Sequence, residues 1–234
     1  MFSRALPFAF PHPDDADEEG YLISGGKLST GLLETAYKLG IFPWPQQDID
    51  GNSELAWYSP DPRAILPFSQ FHLPKRVARR IRSQVYQVRA NQNFHAVIEA
   101  CAQPRRDDCG TWITNGVIRA YGELHELGKC HSVEVYRENK LVGGIYGVAF
   151  GSYFSAESMF HTETDTAKIA LAYLVHWLRK SRFRLLDIQQ PSELLTSLGG
   201  TTIPRKQFLS LLYRCTLEKV EFKPDLREGR CPLG

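Results

Sequence analysis

A carboxylate and a carboxamide stand two residues apart in the segment LLDIQ, as Asp187 and Gln189. The pattern predicts a strand over residues 184–189, and alternate side chains of a strand point to the same face. A carboxylate beside an amide can orient an amine and take its proton, directly or through a relay, while the amine attacks an ester. A polar strand end at the surface is the alternative. The segment therefore predicts either an amine-handling pair or a solvated strand end.

A further carboxylate, Glu157, is the one charged residue of the segment GGIYGVAFGSYFSAESMF, residues 143–160. Closely spaced glycines in a strand-like sequence indicate bulges or the close approach of another group. A carboxylate among apolar residues is costly unless it has a partner or a role. The surrounding side chains predict either an apolar pocket beside Glu157 or a glycine-bent sheet packed on the core. The pocket candidates are Ile145, Tyr146, Phe154 and Met159.

Aromatic and basic residues suggest contact with nucleic acid. Trp44, Trp57 and Trp112 lie in turn-rich segments, where aromatic planes can stack on nucleobases at about 1–3 kcal/mol per base. Core packing is the default for a single Trp. Residues 71–83 place apolar side chains on one helical stripe and cations on the rest, which predicts either a single-stranded RNA surface or a solvated helix face. The cations are Lys75, Arg76, Arg79, Arg80 and Arg82.

Composition and the missing motifs narrow the class of protein. The chain has 234 residues, of which 43% are hydrophobic and 23% charged, so it is globular rather than disordered or fibrous. No apolar run reaches the roughly 20 residues of a membrane helix, and the N-terminus lacks the features of a secretory signal, so we expect a cytoplasmic protein. Five scattered cysteines predict reduced thiols rather than disulfides or a zinc site. The absence of phosphate-loop, Gly-x-Ser-x-Gly and His-Glu-x-x-His motifs leads us to expect no metal and no cofactor.

The pattern of elements predicts an α+β fold in two parts. Residues 1–70 are rich in Pro, Gly and aromatics and contain one helix, 30–38, capped by Ser29 and ended by Gly40, with a surface loop at 48–54. We take them as a small N-terminal domain and residues 71–234 as a second domain that starts with the basic helix. Predicted helices there are 93–101, 116–127, 166–180 and 206–218. Predicted strands are 132–137, 141–148 and 184–189, with a hairpin turn at Glu138–Asn139.

The order of the longer motifs resembles one bacterial family, the leucyl/phenylalanyl-tRNA-protein transferases, over residues 20–212. The motifs are GIFPW (40–44), WYSPDPRAIL (57–66), GTWIT (110–114), HELG (125–128), LVGGIYGVAFG (141–151), ESMF (157–160), LLDIQ (185–189) and SLGGTTIPR (197–205). The resemblance implies a GNAT-like (acyl-CoA N-acetyltransferase) C-terminal domain behind a small N-terminal α/β domain. It also implies transfer of Leu or Phe, less readily Met, from aminoacyl-tRNA to acceptor proteins that begin with Arg or Lys, which marks them for degradation through the N-degron pathway.

The resemblance also implies roles for individual residues. Asp187 and Gln189 match the catalytic pair of the family, and Glu157 matches its essential carboxylate. Trp44 and Trp112 match residues near the 3′-terminal adenosine, and the basic helix matches the surface for the tRNA acceptor stem. Three positions depart from the family and bear on donor or acceptor preference: Leu194 stands where a His is usual, Ile145 where Met is frequent, and Phe150 where a polar residue is frequent.

Two other functions fit parts of the sequence. A non-catalytic RNA-binding protein would use the basic helix and the tryptophans, and it would bind tRNA whether or not the tRNA is aminoacylated. An acetyltransferase that uses acetyl-CoA would carry an Arg/Gln-x-x-Gly-x-Gly/Ala loop before a helix, which the sequence does not show. The sequence assigns no role to residues 219–234 and no oligomeric state.

Overall fold

The fold combines helices and a mixed sheet, as the α+β prediction requires. The computed structural model describes residues 8–44, 46–47, 53–103 and 111–225. Helices and strands alternate along most of this length. Within the described ranges, no helix has both the length and the apolar composition that a membrane span needs.

The helices lie close to their predicted positions. Ser29 caps the first helix by accepting a hydrogen bond from the Leu32 N–H, and Gly40 follows it with a φ of 78°. Pro74 precedes the basic helix as its N-cap residue instead of lying in the first turn. The helices of the described residues are α1 (Thr30–Lys38), α2 (Lys75–Arg82), α3 (Phe94–Cys101), α4 (Asn115–Glu126), α5 (Thr166–Lys180), α6 (Glu193–Thr196) and α7 (Arg205–Thr216).

The strands form one large sheet and two small ones. The strands are β1 (Tyr21–Ser24), β2 (Phe42–Pro43), β3 (Gln46–Gln47), β4 (Ser53–Glu54), β5 (Ala56–Tyr58), β6 (Arg63–Ile65), β7 (Gln87–Ala90), β8 (Cys130–Arg137), β9 (Lys140–Phe150), β10 (Tyr153–His161), β11 (Leu185–Gln189) and β12 (Thr201–Ile203). The large sheet has the order β12-β6-β11-β10-β9-β8-β7, and β1-β5-β2 and β3-β4 form the others. In the large sheet, β10 and β11 are parallel, and each of the other neighbouring pairs is antiparallel.

The predicted hairpin between β8 and β9 is present. Glu138 and Asn139 both have positive φ, 49° and 62°. Positive φ at both central residues matches the right-handed twist of the strands they connect. The turn fixes the register of β8 on β9 and so places the central strands that carry the site.

Each face of the large sheet covers its own apolar cluster. One cluster contains Tyr146, Val148 and Tyr153 with side chains of α1, α3, α4 and α7, and here it is called the α4-side cluster. The other contains Ile145 and Phe154 with side chains of α2 and α5, and it is called the α5-side cluster. Alternation along β9 and β10 divides these residues between the two faces.

Strand pairing bears on the predicted domain boundary at residue 70. The strand β6 lies inside the large sheet, between β12 and β11. Residues 63–65 therefore pair with the second part of the chain, although the boundary assigns them to the first. The small sheet β1-β5-β2 and α1 lie before residue 63 and stay in the N-terminal part.

In the N-terminal part, the structure decides for core packing at Trp57, and it corrects part of the predicted surface loop. Trp57 is fully buried in β5, because its ring packs on Phe10 and its indole N–H donates to the Gly25 carbonyl. Ser53–Glu54, placed in the predicted loop 48–54, form a strand with Gln46–Gln47, while residues 48–52 lie outside the described residues. Cys101, Cys130 and Cys215 are buried and are not joined in disulfides, and Cys109 and Cys231 also lie outside the described residues.

Candidate active site

A gap opens between the two parallel strands at the centre of the large sheet. The pairing of β10 with β11 runs from Tyr153 opposite Leu185 to Ser155 opposite Asp187. Beyond that point β10 stays paired with β9, whereas Gln189 pairs with Ala64 of β6. Backbone groups that face the gap are left without a strand partner.

A β-bulge turns Glu157 towards the gap. The register of β10 on β9 shifts between Ala156 and Ser158, so Glu157 is the extra residue of the bulge. A bulge re-aims a side chain and ends regular pairing, as glycine-rich strands led us to expect. Glu157 Oε1 accepts hydrogen bonds from Ser155 Oγ at 2.8 Å and from Gln189 Nε2 at 3.0 Å. Glu157 Oε2 accepts a longer bond, 3.4 Å, from the Tyr121 hydroxyl.

The surroundings of Glu157 favour its protonated form. Removal of the carboxylate from water raises its pKa to about 7, and the negative charge of Asp187 adds to this. Hydrogen bonds from Tyr37, Ser155 and Gln189 limit the rise in pKa. The hydroxyls of Tyr37 and Tyr121 bond to each other, and burial raises the pKa of both well above the usual range. Glu157 therefore faces neutral donors and can exchange a proton near neutral pH.

Asp187 has the opposite environment, because its carboxylate is fully buried and fully bonded. Its Oδ1 accepts from Arg63 Nε at 2.9 Å and from the Gln189 backbone N–H at 2.8 Å. Its Oδ2 accepts from Arg63 Nη2 at 2.7 Å and from the Tyr153 hydroxyl at 2.8 Å. The side chains of Arg63 and Asp187 are 1% and 0% exposed, so neither touches solvent.

The expected side-chain pair of Asp187 and Gln189 is therefore wrong in one respect. Both side chains lie on the Tyr153 face, but the Gln189 amide bonds to Ser155 and Glu157 instead of Asp187. Two features explain this. The positive φ of Gln189, 62°, turns its side chain away from Asp187, and the Asp187 carboxylate already accepts hydrogen bonds from Arg63 and Tyr153. Asp187 holds the backbone of Gln189, and Gln189 holds the Glu157 carboxylate.

The four pocket candidates do not line one pocket. Ile145, Phe154 and Met159 lie in or against the α5-side cluster, and Met159 pairs with Ile145 across the strands. Tyr146 belongs to the α4-side cluster, because neighbouring residues of a strand point to opposite faces. The Tyr146 ring packs edge-to-face on Phe94 and Tyr121. The half-buried Met159 leaves that side of the gap with an accessible apolar wall.

The two tryptophans expected near adenosine belong to different segments of the chain. Trp44 follows β2 and is 40% exposed, with Phe42 and Tyr58 beside its ring. Trp112 precedes α4, is half-buried and packs against the α4-side cluster. Both have ring surface left for another aromatic group.

The basic helix α2 turns Val77 and Ile81 into the α5-side cluster and its cations outwards. Arg76 forms a two-pronged ion pair with Asp165, at 2.8 and 2.7 Å, and Arg80 lies 3.3 Å from the same carboxylate. Lys75, Arg79 and Arg82 are exposed and have no ion pair with the described residues. Asp165 thus pairs with two of the five cations of this helix.

Other residues of the site escaped sequence reasoning. Arg63 carried one usable signal, a charge at the start of the apolar run RAIL, whereas Tyr37, Tyr121 and Tyr153 look like ordinary core aromatics. Of the residues that depart from the family, Phe150 stacks on Tyr37 and Leu194 packs against the α5-side cluster. Among the described residues, no group of His, Cys, Asp and Glu side chains is arranged to hold a metal ion.

Comparison with known proteins identifies the family. The family models described as leucyl/phenylalanyl-tRNA protein transferase and as its N-terminal domain match residues 65–213 and 26–61. Among curated relatives, the leucyl/phenylalanyl-tRNA-protein transferase of Maridesulfovibrio salexigens is 46% identical, over 87% of this chain and 84% of the relative. That of Syntrophotalea carbinolica is 45% identical, over 95% of this chain and 94% of the relative.

Solved structures are more distant and include GNAT-like proteins. A ribosomal-protein-alanine N-acetyltransferase from Brucella melitensis biovar Abortus 2308 has 10% identity and a TM-score of 0.34, covering 46% of this chain and 82% of that chain. The matches of family model and sequence extend over the gap and both of its carboxylates. The chain belongs to the leucyl/phenylalanyl-tRNA protein transferase family and is an aminoacyltransferase.

Proposed function

We propose that the enzyme transfers Leu or Phe, and less readily Met, from aminoacyl-tRNA to the N-terminal Arg or Lys of acceptor proteins. We place this activity in the cytoplasm, where the new N-terminal residue marks the acceptor for degradation through the N-degron pathway. The single observation that carries the catalytic part is Glu157, a carboxylate with a pKa of about 7, aimed into the gap by a bulge and held by Gln189.

Glu157 is the proton acceptor of this reaction. The amine nitrogen of the acceptor bonds to the ester carbonyl carbon, and the ester bond to the 3′-terminal ribose breaks. The amine gives up a proton to Glu157, and Glu157 returns that proton to the ribose oxygen as it leaves, which restores the carboxylate. An α-amino group has a pKa of about 7.7–8.0, so a base near pH 7 is adequate and the activated ester needs no ATP.

Positioning provides the larger part of the rate. Holding ester and amine in attack geometry contributes roughly 7–11 kcal/mol, whereas a general base typically adds about 10²- to 10⁴-fold. Gln189 orients Glu157 through a 3.0 Å hydrogen bond, and Asp187 fixes Gln189 through its backbone. We assign Asp187 to positioning because its carboxylate has no exposed surface.

The donor side chain enters the α5-side wall of the gap. The half-buried Met159 supports this choice, with Ile145 and Phe154 buried in the same cluster behind the accessible surface, and Tyr146 is left out because it faces the other side. One methylene changes binding by only about 1–3 kcal/mol in such a pocket. An apolar pocket with this tolerance accepts Leu, Phe and Met side chains and excludes charged ones.

The tRNA part of the donor lies across the N-terminal sheet and the basic helix. Trp44 and Trp112 stack on the terminal adenine, and the exposed Lys75, Arg79 and Arg82 meet phosphates of the acceptor stem, with Arg76 and Arg80 beside them. Exposed ring surface at Trp44 and the cations left without an ion pair by Asp165 support this assignment. Binding through phosphates weakens steeply with salt.

The test is transfer of radiolabelled Leu, Phe, Met and Ala from charged tRNA to peptides that start with Arg, Lys, Asp or Ala. We expect label from Leu-tRNA and Phe-tRNA on the Arg and Lys peptides, less label from Met-tRNA, and none from Ala-tRNA. Transfer to the Asp peptide would keep the reaction and overturn the acceptor assignment. Tight binding of tRNA without transfer to any peptide would overturn the proposed transfer altogether.

A further inference from the structure

Arg63 lies at the point where four separate parts of the chain meet. Its guanidinium donates twice to Asp187, and its Nη1 donates to the Gly40 carbonyl at 3.1 Å. The ring of Phe42, in β2, lies 4.7 Å from the guanidinium carbon, and the ring of Phe208, in α7, lies 4.5 Å from it. Three of its five N–H donors are thus bonded, and two aromatic rings pack against the guanidinium plane.

This environment selects arginine over any other cation. A guanidinium is planar, matches a carboxylate with two parallel bonds and stacks on aromatic rings with both faces. A lysine ammonium in the same place keeps the charge but forms neither the paired bonds nor the stack. Arg63 therefore fixes the plane and the position of the Asp187 carboxylate, in addition to balancing its charge.

The position of Asp187 is passed on to the reacting groups through one short path. Asp187 Oδ1 accepts the backbone N–H of Gln189, whose φ of 62° is unusual for a residue with a side chain. Gln189 Nε2 then donates to Glu157. A carboxylate displaced at Asp187 loosens the backbone bond that holds Gln189 in this conformation and moves the amide away from Glu157.

We propose that Arg63 is a positioning residue for aminoacyl transfer, which sets the geometry of Gln189 and Glu157 through the Asp187 carboxylate and through its stack between Phe42 and Phe208. This inference rests on the proposed role of Glu157 in the gap. Because Phe42 and Gly40 belong to the N-terminal part, this path links that part to the reacting groups, in addition to the hydrogen bond from Tyr37 to Glu157.

Arg205 provides a matched control, because it is a second buried arginine that ties the N-terminal part to α7. Its Nη1 donates to the Ser59 carbonyl at 2.6 Å, and its Nε lies 3.5 Å from Asp14. Its hydrogen bonds and ion pair go to Ser59, Asp61 and Asp14, and none of them reaches Asp187, Gln189 or Glu157. Loss of Arg205 weakens the same junction and leaves the path to the gap intact.

The experiment compares Arg63→Lys with Arg205→Lys in steady-state transfer, with a thermal melt of each variant. For Arg63→Lys we expect kcat to fall about 100-fold, as a misplacement near 1 Å does, while KM for aminoacyl-tRNA stays within about threefold. For Arg205→Lys we expect a lower melting temperature and an unchanged kcat of the folded fraction. Equal kcat losses in the two variants, or an unchanged kcat in Arg63→Lys, would overturn the inference.

A rescue experiment covers the case in which Arg63→Lys does not fold. Arg63→Ala leaves a guanidinium-shaped space between two rings, and added methylguanidinium should restore transfer with saturation. The same addition to Arg205→Ala should restore nothing, and restoration in both variants or in neither would overturn the inference. Failure of the proposed function is seen separately, because wild type would then transfer no amino acid and Glu157→Gln would match it.

Discussion

Two carboxylates on one face of the sheet, Asp187 and Glu157, end in opposite states. Asp187 lies where β10 and β11 are still paired, and it accepts four hydrogen bonds, two of them from a buried arginine. Glu157 lies two residues beyond the last pair, faces neutral donors and has a pKa of about 7. The charge of the partner decides whether a buried carboxylate supports the structure or exchanges a proton.

The protein needs both carboxylates because each provides what the other lacks. A buried ion pair is rigid and holds neighbouring backbone in place, but its carboxylate is not free to take a proton. A carboxylate left without a cation can take a proton near neutral pH, but it needs hydrogen-bond donors to keep its orientation. Gln189 joins the two, since its backbone bonds to Asp187 and its side chain to Glu157.

The largest effect is expected when the arginine loses its partner. Asp187→Asn leaves Arg63 buried with an uncompensated charge, which costs about 3–5 kcal/mol of the free energy of unfolding. Denaturant unfolding should show this loss, and transfer should fall with it. Glu157→Gln, measured alongside, should lose less than about 1 kcal/mol because no ion pair is broken. Similar losses in both variants would erase the distinction between the two carboxylates.

Next comes the effect of Glu157→Gln on transfer. Without a proton acceptor, kcat/KM should fall about 100-fold or more, the usual contribution of a general base. The fall should be the same factor for acceptor peptides that begin with Arg and, at the much slower transfer expected for a poor acceptor, with Ala, because the proton comes from the α-amine that both share. A loss confined to Arg peptides would instead assign Glu157 to the basic side chain of the acceptor.

The sequence predicted the elements well because their signals are local. Helix α5 has the predicted limits 166–180, and α1 begins after its Ser29 cap, since periodicity and capping act within a few residues. The Glu138–Asn139 turn was also predicted from residues that tolerate positive φ. Even so, the expected surface loop 48–54 ends in a strand, because short pairings depend on a partner elsewhere in the chain.

The site was predicted less completely, because its contacts join distant segments. Asp187 and Gln189 were singled out, but Arg63 lies 124 positions from Asp187 along the chain, and no local pattern connects them. The pocket candidates were chosen by composition, and alternation then divided Tyr146 from Phe154. The bulge at Glu157 was anticipated only as a consequence of glycine-rich strands, without its position.

The pH dependence of transfer tests whether Glu157 is the proton acceptor. Below its pKa of about 7, Glu157 is protonated and cannot accept a proton, so activity falls about tenfold for each further pH unit. The acceptor amine also titrates in this range. We therefore expect the ratio of kcat/KM between wild type and Glu157→Gln to rise up to about pH 7 and then to level off. A ratio that does not vary with pH would remove Glu157 as the base.

Titration of Glu157 also changes the stability of the folded state, in a direction that its raised pKa determines. The folded pKa of Glu157 lies above its ordinary value of 4.5, so the folded state holds a proton that the unfolded chain releases. The corresponding stability is present below pH 4.5 and is lost as pH rises towards about 7. The melting temperature of Glu157→Gln minus that of wild type should therefore be more positive at pH 8 than at pH 4.5. Equal differences at both pH values would contradict the raised pKa.

The smallest effects are expected when one hydrogen-bond donor is removed from each carboxylate. Tyr153→Phe removes one of four hydrogen bonds to Asp187 and leaves Arg63 in place, so we expect a loss of about 1–2 kcal/mol in denaturant unfolding. Ser155→Ala removes the 2.8 Å bond to Glu157, which raises the pKa of Glu157 further and moves the rising limb of the activity ratio to higher pH. Because Tyr153 bonds to Asp187 and not to Glu157, Tyr153→Phe should leave that limb in place. If it moves the limb as far as Ser155→Ala does, the two carboxylates act as one unit in proton transfer, and the division of labour between them is wrong.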